Sequence, residues 1–181
     1  MSATEQRSPY DYLVQLERKC RVASPGLPVA EAQHQQWSGV LFKLAGYEMV
    51  AAMSEVAEIG DMLPVAHLPG VKPWVLGLAN MRGNLLPIID LRRYLFASAA
   101  PTAEAGRVLV VKQDGSLIGL RVDAVIGMRH FLETQRTGDT PTLPDPLDVY
   151  VVEGFVDQGL VKPVFSIRRL VNNPAFQDAA L

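Results

Sequence analysis

Glu55, Glu58 and Asp61 stand close enough together to gather around a metal ion, the arrangement that phosphate-ester hydrolysis would need. Three acids at a strand exit read equally well as a solvated edge. His34, His67 and His130 are scattered, with no second histidine four residues away and no neighbouring cysteine to complete a zinc site. His67, just ahead of Pro69-Gly70, reads as a satisfied structural histidine. No Gly-x-Ser-x-Gly elbow is present, and none of Gly70, Gly77 or Gly83 leads into the Lys-Ser/Thr of a phosphate loop. The sequence therefore offers no catalytic residue, no metal site and no cofactor site, and a phosphatase stays only as an alternative resting on the three acids. Polar groups set among apolar neighbours stand out instead. Glu58 lies between Val56 and Ile59, and Arg82 forms the tip of the hairpin GLANMRGNLLPIIDL. If those segments are neighbours, the two can pair, and a partly desolvated pair would cost ~3 kcal/mol or more to break from one side. Alternatively Arg82 caps a turn with its head in water. Asn80 can bond its own backbone, and Gly83 can supply a left-handed position.

The elements that must place these groups follow from a repeat. Val40 to Ile59 overlays without a gap on Leu109 to Met128, and Leu85 to Leu95 overlays on Val161 to Val171. Pro87 then matches Pro163, and Arg92-Arg93 matches Arg168-Arg169. Tandem copies predict two similar halves packed together. Strand-period runs around Ala45-Gly46, Arg82-Gly83-Asn84, Asp114-Gly115 and Gln158-Gly159 predict four hairpins. Asp90 and Ser166 sit where an N-cap would open a short helix, LRRYL in one copy and IRRLV in the other. The expected fold is all-β, two small barrels: residues 37–100 as the first and 101–181 as the second, with a C-terminal helix. A connector is expected over 97–106, and a polar, proline-rich loop over 134–147.

Residues 1–36 read as an extension holding an amphipathic helix. Ser8 and Pro9 open it, Ser24-Pro25-Gly26 stop it, and Tyr12, Leu13, Leu16 and Cys20 share a face. That face is expected to pack on the body, with Cys20 as a small buried residue; docking to another protein is the competing reading. A net charge of −2 without a Lys/Arg stripe argues against nucleic acid. The absence of a signal sequence, or of the ~18 apolar residues a membrane span needs, together with a single cysteine, points to a cytoplasmic protein that does not enter the membrane.

Val56, Glu58 and Ile59, then Val75, Gly77, Asn80, Arg82 and Gly83, then Pro87 to Leu91, resemble the motif set of the CheW-like domain, the adaptor module of bacterial chemosensory arrays. The second copy, GLRVDAVIGM and the strand leading to IRRLV, matches the family's second half. The N-terminal segment and the details of WSGVLF and LPGVKPWVLGLANMRG are most similar to the PilI-type adaptors of type IV pilus (twitching motility) systems. The resemblance implies two five-stranded, SH3-like barrels and no enzymatic activity. It also implies a bridging role between the cytoplasmic tip of a methyl-accepting chemoreceptor and the regulatory domain of a CheA-type histidine kinase, at membrane-attached arrays. Carried over by position, Val56, Glu58, Ile59, Gly77, Asn80, Arg82 and Gly83 would form the receptor and kinase face, with the receptor tip in a groove between the barrels. Gly127 stands where Glu58 stands in the first copy, so polar contact chemistry is expected in copy one. A general flagellar chemotaxis adaptor is the alternative within the family.

Overall fold

The computed structural model describes residues 9–23, 36–98, 106–113 and 115–180. The chain divides into two units, Met1–Gln33 and His34–Leu181. In the first unit, helix α1 (Pro9–Ala23) begins on the expected proline; Ser8 and Ser24-Pro25-Gly26 lie outside the described residues. Tyr12, Leu13, Leu16 and Cys20 are all exposed, not the buried stripe expected of them. Helical spacing says which residues share a face, and it is silent on what covers that face.

The second unit is mostly strand. Its first copy gives β1 (Gln36–Leu44), β2 (Tyr47–Ala52), β3 (Val56–Asp61), β4 (Val65–Ala66), β5 (Val75–Met81), β6 (Asn84–Asp90) and helix α2 (Leu91–Phe96). Its second gives β7 (Arg107–Gln113), β8 (Ser116–Val122), β9 (Ala124–Leu132), β10 (Arg136–Thr137), β11 (Val151–Asp157), β12 (Leu160–Phe165) and helices α3 (Ile167–Val171) and α4 (Pro174–Gln177). All four expected hairpins form. Three turn through two residues of positive φ, among them Arg82 (51°) with Gly83 (87°), the backbone that matches the twist of the flanking strands. Asp114 of the fourth turn lies outside the described residues. Asp90 and Ser166 cap α2 and α3 as expected, accepting from the Arg93 and Arg169 amides at 3.0 and 3.2 Å.

The strands form two six-stranded sheets, but these are not the two halves of the sequence. Sheet I runs β10-β11-β12-β2-β1-β9 and sheet II runs β3-β7-β8-β6-β5-β4. Each copy has given its first hairpin to the other's sheet, which corrects the division into barrels at residues 37–100 and 101–181. Chain connectivity explains the exchange. Within its own copy's sheet, β9 would lie antiparallel to β7 and hence parallel to β8, yet only Asp123 separates β8 from β9. Parallel strands of one sheet need a crossover connection of about a dozen residues or more, so β8 runs onward into the other sheet. The 3-10 turn Met53–Glu55 imposes the same crossing between β2 and β3. The parallel pairs that do form, β2 with β12 and β6 with β8, join strands far apart in sequence.

The exchanged hairpins are apolar on both faces because both faces are buried. Leu41 and Val50 enter the core of sheet I with Phe131, Phe155 and Val164. Val108 and Val110 enter that of sheet II with Ala79, Leu86 and Ile88. Their opposite faces, including Val40, Phe42, Met49, Leu109, Val111 and Leu120, form the largest cluster, which fills the space between the barrels. Leu143 and Leu147 reach into this cluster, so the loop expected to be merely polar is anchored by two leucines. Asp90 and Arg121, opposite each other on β6 and β8, form a buried ion pair at 3.2 Å.

Candidate functional site

Two irregularities in sheet II shape the site. The register of β3 on β7 slips between Val56 and Glu58, and that of β5 on β6 slips between Val75 and Gly77. Such bulges re-aim the side chains beyond them. Downstream of the second, Asn80 faces Leu85 and Met81 faces Asn84 at the end of the hairpin. The Asn80 side-chain oxygen accepts from the Gly83 amide at 2.9 Å, so the turn is closed by its own residues as the sequence suggests. Arg82 rides on that turn, and its guanidinium meets the Glu58 carboxylate at 2.8 Å. The pair thus ties β3, at one end of the sheet order, to the β5–β6 turn near the other.

Of the two readings open for Arg82, the structure has both features at once. The head is paired, and its side chain is still 78% exposed, against 32% for Glu58. This is an accessible, geometry-fixing pair, with little of the desolvation that would make it costly to break. Leu85, 70% exposed, adds an apolar side chain beside the turn; two successive leucines carry no signal of which one faces out, and nothing in the sequence marks Leu85 as part of a face.

The seven expected contact residues divide by role. Glu58, Asn80, Arg82 and Gly83 are brought together at the accessible end of the hairpin. Val56 and Ile59 pack partly buried against the cluster between the barrels. Gly77 is buried at φ 134°, where an added Cβ would stand 2.1 Å from the Ala66 carbonyl oxygen. Its requirement is close approach of β4, and it offers no side chain to a partner. The apolar cluster packs between the two barrels.

The carboxylates once grouped as a metal crowd go separate ways. Glu55 accepts from the Ile167 amide at 2.9 Å, Glu58 pairs with Arg82, and Asp61 pairs with Arg107. Among the described residues no group of three or more metal-ligating side chains converges. His67 is exposed, and His130 shares a 2.7 Å hydrogen bond with the Ser38 hydroxyl. No helix among the described residues is long and apolar enough to cross a membrane.

At the equivalent place on sheet I the chemistry differs. The Gln158-Gly159 turn has nearly the backbone of Arg82-Gly83, with φ of 50° and 79°. However, Gly127 replaces the carboxylate, and Met128 and Leu160 are exposed nearby in sequence. The polar pair therefore belongs to one sheet only, and every residue of it comes from the first copy.

The model of the CheW-like domain matches residues 38–172, essentially both sheets. The chain is 36% identical over 178 residues to Protein PilI of Pseudomonas aeruginosa, spanning 98% of this chain and 99% of that one. It is 27% identical over 84 residues to Chemotaxis protein CheW of Bacillus subtilis, covering 46% of this chain and 54% of the relative. The crystal structure of the scaffolding protein TtCheW from Thermoanaerobacter tengcongensis superposes with a TM-score of 0.61 at 22% identity, over 71% of this chain and 88% of that one, a likeness of fold. With two SH3-like β subdomains, and with a family match that spans both of them, this chain belongs to the CheW-like family of chemosensory scaffold proteins.

Proposed function

We propose that this protein is a non-catalytic adaptor that couples a membrane chemoreceptor to a CheA-type histidine kinase in a type IV pilus chemosensory pathway. The observation that carries the reading is the accessible Glu58–Arg82 pair, held at 2.8 Å on a closed hairpin and flanked by exposed Leu85. A charged pair beside an apolar side chain on a rigid turn suits recognition, since charge sets orientation and apolar area supplies affinity. Full-length similarity to Protein PilI supports the pilus pathway over the flagellar one.

In this reading Glu58, Asn80, Arg82 and Gly83 meet the partner, while Val56, Ile59 and Gly77 hold the strands that carry them. The protein acts from the cytoplasmic side, at arrays it reaches through its partners. The test is co-elution of the full chain with the purified regulatory domain of a pilus-type kinase, and separately with that of a flagellar-type kinase. Binding to the first and weaker binding to the second supports the reading. Equal binding to both favours the general chemotaxis adaptor, and binding to neither removes the proposal.

A further inference from the structure

Beside the 3-10 turn Met53–Glu55, two adjoining cavities of about 430 and 270 Å3 share Ser54, Glu55 and Arg168. None of the seven expected contact residues lines either one, so this is a separate place on the molecule. The larger has an apolar wall of half-buried Trp37 with Val152, and a rim carrying Arg168 and Arg169; the smaller adds Lys112.

The charges there are unequal in availability. Glu55 is engaged by the Ile167 amide, and Glu153 is bound by Arg136, whose guanidinium is also held by Glu133. Among the described residues, exposed Arg168 and Lys112 form no ion pair. The Arg169 side chain donates a long 3.4 Å bond to the Val149 carbonyl. The acids of the groove are thus spent internally, whereas Arg168 and Lys112 form no ion pair among the described residues, and Arg168 lines the same cavity as Trp37. We propose that this groove is a binding site for an acidic peptide segment carrying an apolar side chain, with the carboxylates on Arg168 and Lys112 and the apolar group against Trp37 and Val152. A solvated cationic rim next to an apolar wall gives such a ligand orientation as well as attraction.

The experiment is NMR titration of the full, isotope-labelled chain with a short glutamate-rich peptide bearing one central phenylalanine. A peptide with lysine in place of glutamate, and a single-stranded oligonucleotide of equal charge, serve as comparisons. Amide shifts are expected to cluster at Ser54, Glu55, Gln113 and Asn172, to fade at high salt, and to weaken about tenfold in Arg168→Glu. Lys112→Glu, on a strand and exposed, provides a second variant with the same expected direction. Shifts spread evenly over other basic residues, binding unaffected by either variant, or tighter binding of the oligonucleotide would each overturn the assignment. Arg82→Glu leaves this titration unchanged, so its outcome is distinguishable from that of the kinase-binding test.

Discussion

Replacing Arg82 by glutamate separates folding from docking. The ion pair it removes lies 2.8 Å apart, with the arginine side chain 78% and the glutamate 32% exposed, and such pairs are worth at most about 1 kcal/mol. The two carboxylates that result can turn apart into water, and the positive φ of residue 82 depends on the turn, which Asn80 and Gly83 still close. A loss near 1 kcal/mol lowers the Tm of a domain of this size by about 2–4 °C. Loss of an arginine central to an interface costs about 2 kcal/mol or more, a roughly thirtyfold rise in Kd. Circular dichroism melts and titration against the kinase regulatory domain read the two effects on one sample. Wild-type affinity within about threefold would refute the placement of the docking face. A Tm fall beyond about 10 °C would refute the energetic reasoning. Adding Glu58→Arg restores binding if the pair acts by fixing the turn, and fails to restore it if each charge meets its own partner group.

Arg121→Ala leaves the buried Asp90 carboxylate without its ion-pair partner and should cost about 3 kcal/mol or more in denaturant unfolding. Adding Asp90→Ser recovers part of that loss, because Ser166 caps α3 at the equivalent position, where Ala52 stands in place of arginine. Gly77→Ala drives a Cβ to 2.1 Å from a backbone oxygen at φ 134° and should cost at least about 2 kcal/mol, lowering the urea midpoint. Hydrogen bonding from Lys162, and then from Lys43, holds the Glu48 carboxyl below its ordinary 4.5. Its folded value is the lower one, so the stability it contributes is present above the ordinary value and lost as pH falls through the folded one. Urea midpoints of wild type and Lys162→Met should therefore converge below the ordinary carboxylate range and separate above it.

The hairpins, their turns and the two helix caps were legible because each depends on residues a few positions apart. Gly83, Asn80, Asp90 and Ser166 all act within three residues of their partners. The exchange of hairpins was hidden, since similarity between copies says nothing of which copy a strand pairs with. The single residue between β8 and β9 holds the clue: parallel strands of one sheet cannot be joined so briefly. Glu58 and Arg82 could be read as potential partners, but their exposure, and so the modest worth of the pair, depended on barrel closure. Gly77 reads as part of the face with its motif neighbours; the approach of Ala66, on a separate strand, is not legible from that motif.

Sedimentation of a CheA-type kinase with vesicles bearing the chemoreceptor tip tests the bridging role most directly. With this protein present the kinase should pellet, without it the kinase should stay in the supernatant, and Arg82→Glu should behave like omission. Kinase that pellets equally in all three cases would contradict the account.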